Sequence, residues 1–458
     1  MIDNYDAIII GTGTAGQTAA YDLKAHGLKV GIVEHSDRPG GTCALSGCQA
    51  KKWFYEASES VARSRHLCGL GIQTPALASW SALRNEKNKF TARVPANTRD
   101  GLDKAGIDYI PGRARFTNPN TISVDRQQLS ARHIIIATGA VPMPLPIDGA
   151  RSIITSNEFM ELDQLPRRII FIGGGFISFE FAHFAVRLGA SDTRCTILEA
   201  GQHPLGPFDQ QMVGLLTQAS EKEGIEVRCN VTITGIEKTG GRFTVKTEDG
   251  SGFEADLVVH GAGRAPAVDD LDLDQAGVEY SRRGITVNAK MATTNPHVYA
   301  VGDCAATIQL ARVADAEAHA AAADILGDIS GAGAEKAMDY TAVPSVLFTY
   351  PQYGMVGVTE DALKAEQVPY RKSYGDALNW PTYKRVGMRS AAYKLLADKD
   401  GRLLGAHVLS DNATGLIGIF TLGMVNRIAV EDLYQQCIMT PYPSRESDIL
   451  YMLKPLLG

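Results

Sequence analysis

Two cysteines, Cys43 and Cys48, are separated by four residues in the run Gly40-Gly41-Thr42-Cys43-Ala44-Leu45-Ser46-Gly47-Cys48-Gln49-Ala50-Lys51-Lys52. A pair at this spacing can close a small disulfide loop, strained enough to be reopened by thiol exchange. Cys48 opens a predicted helical run, Gln49 to Arg63, in which Trp53, Phe54, Ala57 and Val61 share a face. A cysteine at a helix N-terminus has a lowered thiol pKa, and Lys52 one turn on lowers it further. These residue types predict a redox pair. The alternatives are two inert buried thiols or a metal site, the latter weakened because only two cysteines cluster here and no histidine stands beside them. Lys52 alone would read as a solvated helix lysine; its place four residues after Cys48 singles it out. Lys51 reads either as a solvated side chain or as a further thiolate stabiliser.

The segment before the cysteines predicts what positions them. Tyr5-Asp6-Ala7-Ile8-Ile9-Ile10 has the length and branching of a buried strand, and Gly11-Thr12-Gly13-Thr14-Ala15-Gly16 follows it. A helical stretch runs from Gln17 to Ala25, and a second strand, Lys29 to Val33, ends at Glu34. This is the strand–turn–helix–strand pattern of a dinucleotide site. Gly11 permits the turn, Gly13 admits a pyrophosphate, Gly16 lets helix meet strand, and Glu34 accepts bonds from a ribose. A second copy follows: Arg168 to Ile172, the turn Gly173-Gly174-Gly175-Phe176-Ile177-Ser178, a helix Phe179 to Leu188, and a strand Thr193 to Leu198 ending at Glu199. Ser178 replaces the third glycine. Two such folds predict two dinucleotides, a flavin and a nicotinamide. Glu199 would bond a 2′-hydroxyl and repel a 2′-phosphate, and Ala200-Gly201-Gln202-His203 offers no arginine, which favours NAD(H) over NADP(H).

Composition excludes several other classes. The chain has 458 residues, 45% of them hydrophobic, and a net charge of −6 without a long basic block, which argues against nucleic acid as a partner. No apolar run approaches the roughly 18 residues of a membrane span, and no signal peptide is visible, so a cytoplasmic location is expected. Seven cysteines are too few for a secreted disulfide framework of this length. Cys68, Cys195, Cys229, Cys304 and Cys437 are spread singly and read as small apolar residues.

Pro142, Pro144 and Pro146 with Asp148-Gly149 form a stiff boundary after the strand Ile134-Ile135-Ile136-Ala137-Thr138-Gly139. Leu257-Val258-Val259-His260-Gly261-Ala262-Gly263-Arg264 closes the second unit in the same way. Val298-Tyr299-Ala300-Val301-Gly302-Asp303 then precedes a long helical stretch, Leu310 to Ile325. From Thr341 the pattern changes to alternating strands with a final helix near Ile449 to Leu453, a separate α+β region.

The order of these motifs along almost the whole chain resembles the pyridine nucleotide-disulfide oxidoreductases, the group of glutathione reductase, dihydrolipoamide dehydrogenase and mercuric reductase. The resemblance implies an α/β fold with two Rossmann-like dinucleotide-binding domains, one for FAD and one for NAD, plus a C-terminal α+β dimerisation domain. The implied division is 1–145 with 266–340 for FAD and the central part, 146–265 for NAD, and 341–458 for the interface. Gly11, Gly13, Gly16 and Glu34 would hold the ADP part of FAD and Asp303 its ribityl chain. The helix opening near Leu310 and Ala311 would point its N-terminus at the flavin pyrimidine. Gly173, Gly175 and Glu199 would hold NAD. Gly41, Thr42, Thr138, Gly139 and Gly263 fall at further dinucleotide-binding positions. Lys52 and Glu180 match the pair beside the flavin where hydride arrives. Cys48 matches the flavin-contacting thiolate and Cys43 the thiol that attacks substrate. A homodimer would complete each active site from the other subunit.

Two departures qualify this resemblance. Leu45, Ala50 and Lys51 replace the Asn and the Pro-Ser or Pro-Thr usual around the cysteines. Tyr442-Pro443-Ser444-Arg445-Glu446-Ser447 replaces the usual His-Pro-Thr-x-x-Glu, so Tyr442 stands where a histidine base is expected, and the last histidine of the chain is His407. A free tyrosine, with a pKa near ~10, is a poor base at neutral pH. Mercuric reductases resemble this chain in carrying tyrosine there, but the chain ends at Leu456-Leu457-Gly458 without their C-terminal cysteine pair. Asn379-Trp380-Pro381-Thr382-Tyr383-Lys384-Arg385 reads as a surface loop with snorkelling cations, or as groups meeting an anionic substrate.

The expected activity is electron transfer between NAD(H) and a disulfide or dithiol, such as a lipoyl group, through FAD and the Cys43–Cys48 pair, dihydrolipoamide dehydrogenase-like. Reduction of another small disulfide or of a soft metal ion comes next. The rivals are a flavoprotein that passes electrons to a quinone or dye without the disulfide, and a binding subunit that senses NADH/NAD.

Overall fold

The computed structural model describes residues 3–331 and 337–457. Its contacts divide the chain into two compact units: residues 1–53, 85–144 and 263–339, and residues 54–84, 145–262 and 340–458.

The first unit is built on a sheet whose strands run in the order Asp108–Pro111, Val30–Glu34, Asp3–Ile10, Gln127–Ile136, Thr121–Val124 and Ala114–Asn118. The Asp3–Ile10 strand pairs in parallel with Val30–Glu34 and with Gln127–Ile136. Val298–Ala300 adds in parallel to the C-terminal half of Gln127–Ile136, so the loop carrying Asp303 emerges beside the first glycine turn's own sheet. Successive residues of the first strand point to opposite faces. Ala7 and Ile9 pack with the helices Thr14–Ala25 and Ala311–Ser330, while Ile8 and Ile10 pack against Phe116, Ile122 and Leu129. A strand buried on both faces must be continuously apolar, which is how it reads in the sequence.

The second unit holds a parallel sheet in the order Ile225–Arg228, Arg194–Leu198, Arg168–Ile172 and Leu257–His260. It also holds an antiparallel meander of Ile233–Thr239, Arg242–Thr247 and Gly252–Ala255, and a five-stranded antiparallel sheet of Ser345–Leu347, Gln352–Gly357, Leu403–Ser410, Ala392–Ala397 and Arg371–Gly375. The helix Ala413–Val425 covers this last sheet through Leu416, Ile417 and Phe420. Inside the unit, Lys394 is buried between two carboxylates. Its Nζ donates to Asp209 Oδ1 at 2.8 Å and to Glu360 Oε2 at 2.7 Å. Asp209 caps the helix Gln210–Lys222, and Glu360 opens the helix Glu360–Ala365.

The predicted helices are present and slightly longer: Thr14–Ala25, Cys48–His66, Phe176–Leu188 and Ala311–Ser330. The buried face of Cys48–His66 differs from the expected one. Ala50, Phe54, Ser58, Val61 and Ala62 form it, at helical spacing, whereas Trp53 is exposed and lies near Phe90. The long helix Trp80–Ala105, with Pro95 inside it, has no counterpart among the sequence expectations.

Candidate active site

The first glycine turn forms a cradle of close backbone contacts. A Cβ at residue 16 would lie 1.9 Å from the Gly11 carbonyl oxygen, so only glycine lets the helix start so close to the strand. Gly41, with φ of +72°, sits against Gly13, where a Cβ would come within 2.4 Å of the Gly13 Cα. Glu34, at the tip of its strand, accepts from Thr12 N at 3.1 Å, Thr12 Oγ1 at 2.5 Å and Ser36 N at 2.8 Å. Thr12 Oγ1 in turn accepts from Gly40 N at 3.0 Å, tying the acid to the segment that leads into the cysteines.

Asp303 stands at the end of the Val298–Ala300 strand in a short turn that Glu317 anchors: the buried Glu317 Oε2 accepts from Gly302 N at 2.7 Å. Burial pushes the Asp303 carboxyl up, and Arg264 opposes that shift. Arg264, which sequence reasoning passed over, also donates to the Ala140 carbonyl. Thr138 and Gly139 follow the Gln127–Ile136 strand, and the Gly263 carbonyl accepts from Met143 N at 3.1 Å. Leu310 is the N-cap of Ala311–Ser330 and supplies no side-chain bond to it. The nearby Thr307 hydroxyl is buried without a hydrogen-bond partner among the described residues. A helix N-terminus left uncapped, an orphaned hydroxyl and a glycine cradle closed to any Cβ fit a bound flavin dinucleotide.

The cysteines lie in the same unit. Cys43 is in the short helix Gly41–Leu45, together with the exposed Thr42, and Cys48 begins the helix Cys48–His66. Both are free thiols, and the Cys43 thiol donates a hydrogen bond to Cys48. That bond is the main reason the Cys48 thiol is lowered to about 6, against the opposing effect of burial; the Lys51 ammonium lowers it further. The Cys43 thiol is raised by the same bond and by burial. The two shifts run in opposite directions and favour Cys48 as the thiolate of the pair and Cys43 as the thiol. Lys51, which the sequence leaves open between a solvated side chain and a thiolate stabiliser, carries a charge that lowers the Cys48 thiol. Asp315 and Arg312, from the helix Ala311–Ser330, act on Cys43 with opposite signs. Their distance along the chain left them without a sequence signal.

In the second unit the other glycine turn repeats the arrangement. Glu199 Oε2 accepts from Gly174 N and Oε1 from Gly201 N, each at 2.6 Å. Gly175 is the N-cap of Phe176–Leu188. Ser178, at the third-glycine position, is accommodated because its hydroxyl donates to the Gly173 carbonyl and because residue 261 is glycine, where a Cβ would lie 2.1 Å from the Ser178 Oγ. Glu180 is buried on the same helix and accepts from Phe348 N at 3.0 Å.

The C-terminal segment is held by residues other than those the resemblance emphasises. Arg445 makes a two-pronged ion pair with Asp411, at 2.6 and 2.9 Å. Asn412 Nδ2 donates to Glu446, and Ser444 and Ser447 bond each other's backbone amides. Tyr442 itself is 80% exposed. Among the described residues no cluster has the ligands for a metal ion, and no helix is long and apolar enough to cross a membrane.

Residues 5–318 match the family model described as pyridine nucleotide-disulphide oxidoreductase, and residues 343–448 match the dimerisation domain of the same family. The chain belongs to the pyridine nucleotide-disulphide oxidoreductases. It is 32% identical to a glutathione reductase of Burkholderia cepacia, over 90% of this chain and 91% of that protein. It is 31% identical to a mercuric reductase of Lysinibacillus sphaericus, over 96% and 80%. A mitochondrial dihydrolipoyl dehydrogenase of Arabidopsis thaliana is 29% identical, over 96% and 88%. Among solved structures, the HOCl-induced flavoprotein disulfide reductase RclA from Escherichia coli superposes with a TM-score of 0.87 at 24% identity, covering 98% of this chain and 99% of that one. Members of the family are FAD-dependent disulfide oxidoreductases that use pyridine nucleotides. The matched C-terminal domain supports a homodimer.

Proposed function

We propose that the protein moves electrons between NAD(H) and a disulfide substrate through the Cys43–Cys48 pair, with dihydrolipoamide-type dithiols as the first substrate class. The observation that carries this reading is the hydrogen-bonded pair at a helix N-terminus, in the same unit as the glycine cradle. Bound FAD, held by Gly11, Gly13, Gly16, Gly41, Glu34 and Asp303, supplies two-electron transfer between the nicotinamide and the cysteines. Cys43, whose proton passes to the neighbouring Cys48 thiolate, attacks one sulfur of the substrate disulfide, forming a mixed disulfide and releasing the first thiolate, which takes that proton from Cys48 and leaves as a thiol. The Cys48 thiolate then attacks the Cys43 sulfur, releasing the second thiol and closing the Cys43–Cys48 disulfide. Two electrons leave the pair and two protons complete the products. The reverse sequence oxidises a dithiol. The roles of Lys52 and Glu180 beside the nicotinamide rest on the family resemblance.

Glu199 supports NAD(H), since its carboxylate occupies the end of the strand where a 2′-phosphate would meet its charge. The helix Ala413–Val425 carries no charged residue, yet Leu422 and Val425 are exposed, as are Met439 and Tyr442 beyond it. An apolar helix face of this kind needs a covering partner, which supports a second copy of the chain. In that dimer Tyr442 would work against the other subunit.

One observation favours a second reading, reduction of a soft metal ion. The Cys48 thiol is lowered, and the segment that should carry a histidine base has none, so an acceptor that takes up thiolates without needing a proton is the second class to test. Initial NADH- and NADPH-oxidation rates of the FAD-loaded protein, with lipoamide, glutathione disulfide, coenzyme A disulfide, mercuric ion and a quinone, separate these readings. Preference for a disulfide, lost in Cys43→Ser, supports the proposal. Turnover with the quinone alone, or disulfide reduction unchanged in Cys43→Ser, rejects it. Higher efficiency with NADPH rejects the role given to Glu199.

A further inference from the structure

We propose that Tyr55 is a positioning residue for the step in which NADH gives up its hydride, acting through Phe348 on Glu180. In that step the hydride carries two electrons from NADH, which leaves as NAD⁺, to bound FAD. The inference rests on the reading that sets Glu180 beside the nicotinamide. Tyr55, Phe348 and Glu180 all belong to the second unit.

Glu180 is 1% exposed, and a carboxylate buried to that degree needs hydrogen-bond donors. The backbone N–H of Phe348 donates to its Oε1 at 3.0 Å. Phe348 lies just past the strand Ser345–Leu347, at the edge of the five-stranded sheet. That strand pairs with Gln352–Gly357, and its last pair is Leu347 with Tyr353. The Phe348 amide lies beyond this ladder and goes to Glu180. The placement of the carboxylate therefore follows the placement of the turn from 348 to 352.

Tyr55 spans that turn. Its ring meets the Phe348 ring edge-on, with 5.2 Å between centres and 73° between planes. Its hydroxyl accepts from Gln352 Nε2 at 2.5 Å and donates to the Glu59 carboxylate. Gln352 is oriented in turn, because its Oε1 accepts from Thr414 N at 3.2 Å, which leaves Nε2 to face Tyr55. Tyr55, 4% exposed, thus touches the turn at both ends, once before Thr349-Tyr350-Pro351 and once after it. Inside the turn, Thr349 Oγ1 donates to the Pro351 carbonyl at 2.6 Å. Burial, and then Glu59, push the Tyr55 hydroxyl up, so it stays neutral and its part is to hold the ring. Loss of the ring lets Phe348 and its amide shift from the carboxylate. A shift of about 1 Å in a group beside reacting atoms can cost about a hundredfold in rate. Phenylalanine would keep the ring contact and lose only the hydroxyl bonds.

The test uses FAD-loaded protein and three readouts: stopped-flow flavin reduction by NADH without oxygen, NAD⁺ affinity by calorimetry, and hydrogen exchange at the Phe348 amide by mass spectrometry. In the wild type that amide should be protected although it lies past the ladder, a measurement that needs no variant to fold. Tyr55→Leu should lose this protection and lower the limiting reduction rate at least about tenfold, with FAD content and NAD⁺ affinity unchanged. Tyr55→Phe should keep the protection and a rate near that of the wild type. The inference is overturned if the wild-type amide exchanges freely, if Tyr55→Leu is reduced at the wild-type rate, if its rate falls while Phe348 stays protected, or if Tyr55→Phe is as slow as Tyr55→Leu. Glu180→Gln separates the two failures. Reduction of that variant at the wild-type rate rejects the role of Glu180 and the inference with it. Slow reduction of Glu180→Gln beside fast reduction of Tyr55→Leu overturns the inference alone.

Discussion

Cys43→Ala should raise the Cys48 thiol while Cys43→Ser leaves it nearly unmoved, although both variants lose disulfide turnover. The Cys48 thiol lies at about 6 instead of 9.0, and the largest lowering influence is the bond donated by Cys43. A hydrogen bond to a charged group is worth roughly 1.5–3 kcal/mol. At about 1.4 kcal/mol per tenfold, its loss moves the thiol up by roughly one to two pH units, to roughly 7–8 in Cys43→Ala. Alanine cannot donate, whereas a serine hydroxyl can take over the bond. The sign follows directly: a thiolate form favoured in the folded protein is lost at a higher pH when its donor is removed, so alkylation at neutral pH slows. The assay is the pH dependence of Cys48 alkylation by iodoacetamide in reduced enzyme, located by peptide mass. A Cys43→Ala midpoint at or below the wild-type value would refute the assignment of the charge to Cys48 and of its cause to Cys43. Lys51→Gln should raise the midpoint by less than Cys43→Ala does.

Lys394→Met should destabilise the protein by about 3–5 kcal/mol, because Asp209 would remain buried without a cation while Glu360 keeps Lys372; a fall in Tm measured at neutral pH checks this. Burial would raise the Glu360 carboxyl, but bonds from Lys394, Lys372 and Tyr370 outweigh it and hold it well below the usual range. Its stabilisation is therefore present above the ordinary glutamate range and lost as the pH falls below it, and the variant's stability should depend less on pH in that acid range. Gly16→Ala should lose most of its FAD, since the added methyl would sit 1.9 Å from the Gly11 carbonyl oxygen; the ratio of flavin to protein absorbance after gel filtration measures this, and full occupancy would contradict the cradle.

The dinucleotide turns were legible because their information is local: strand, glycines, helix and terminal acid lie within a few dozen residues, and each performs its task beside its neighbours. Cys48 at a helix start was legible for the same reason. The path of a side chain was not. Lys51 and Lys52 both stand one turn from Cys48, and their residue types do not tell which ammonium acts on the sulfur. Trp53 was placed on the buried face by periodicity, but Ala50 and Ser58, small and unremarkable in sequence, occupy that face with Phe54. The helix Trp80–Ala105 is hidden by Pro95 and by its many polar residues, which give little apolar stripe to follow. Groups brought together by tertiary folding left no sequence signal: Asp315 and Arg312 on Cys43, Arg264 on Asp303, and Gly261 making room for Ser178.

The most direct test of the redox role of the cysteine pair is thiol counting in a single reductive step. FAD-loaded protein, oxidised and with its accessible thiols already blocked, is treated anaerobically with NADH and then with a second, mass-distinct alkylating reagent. The account predicts that the new label appears on Cys43 and Cys48 together. Flavin reduction by NADH with no new label on either cysteine would contradict it.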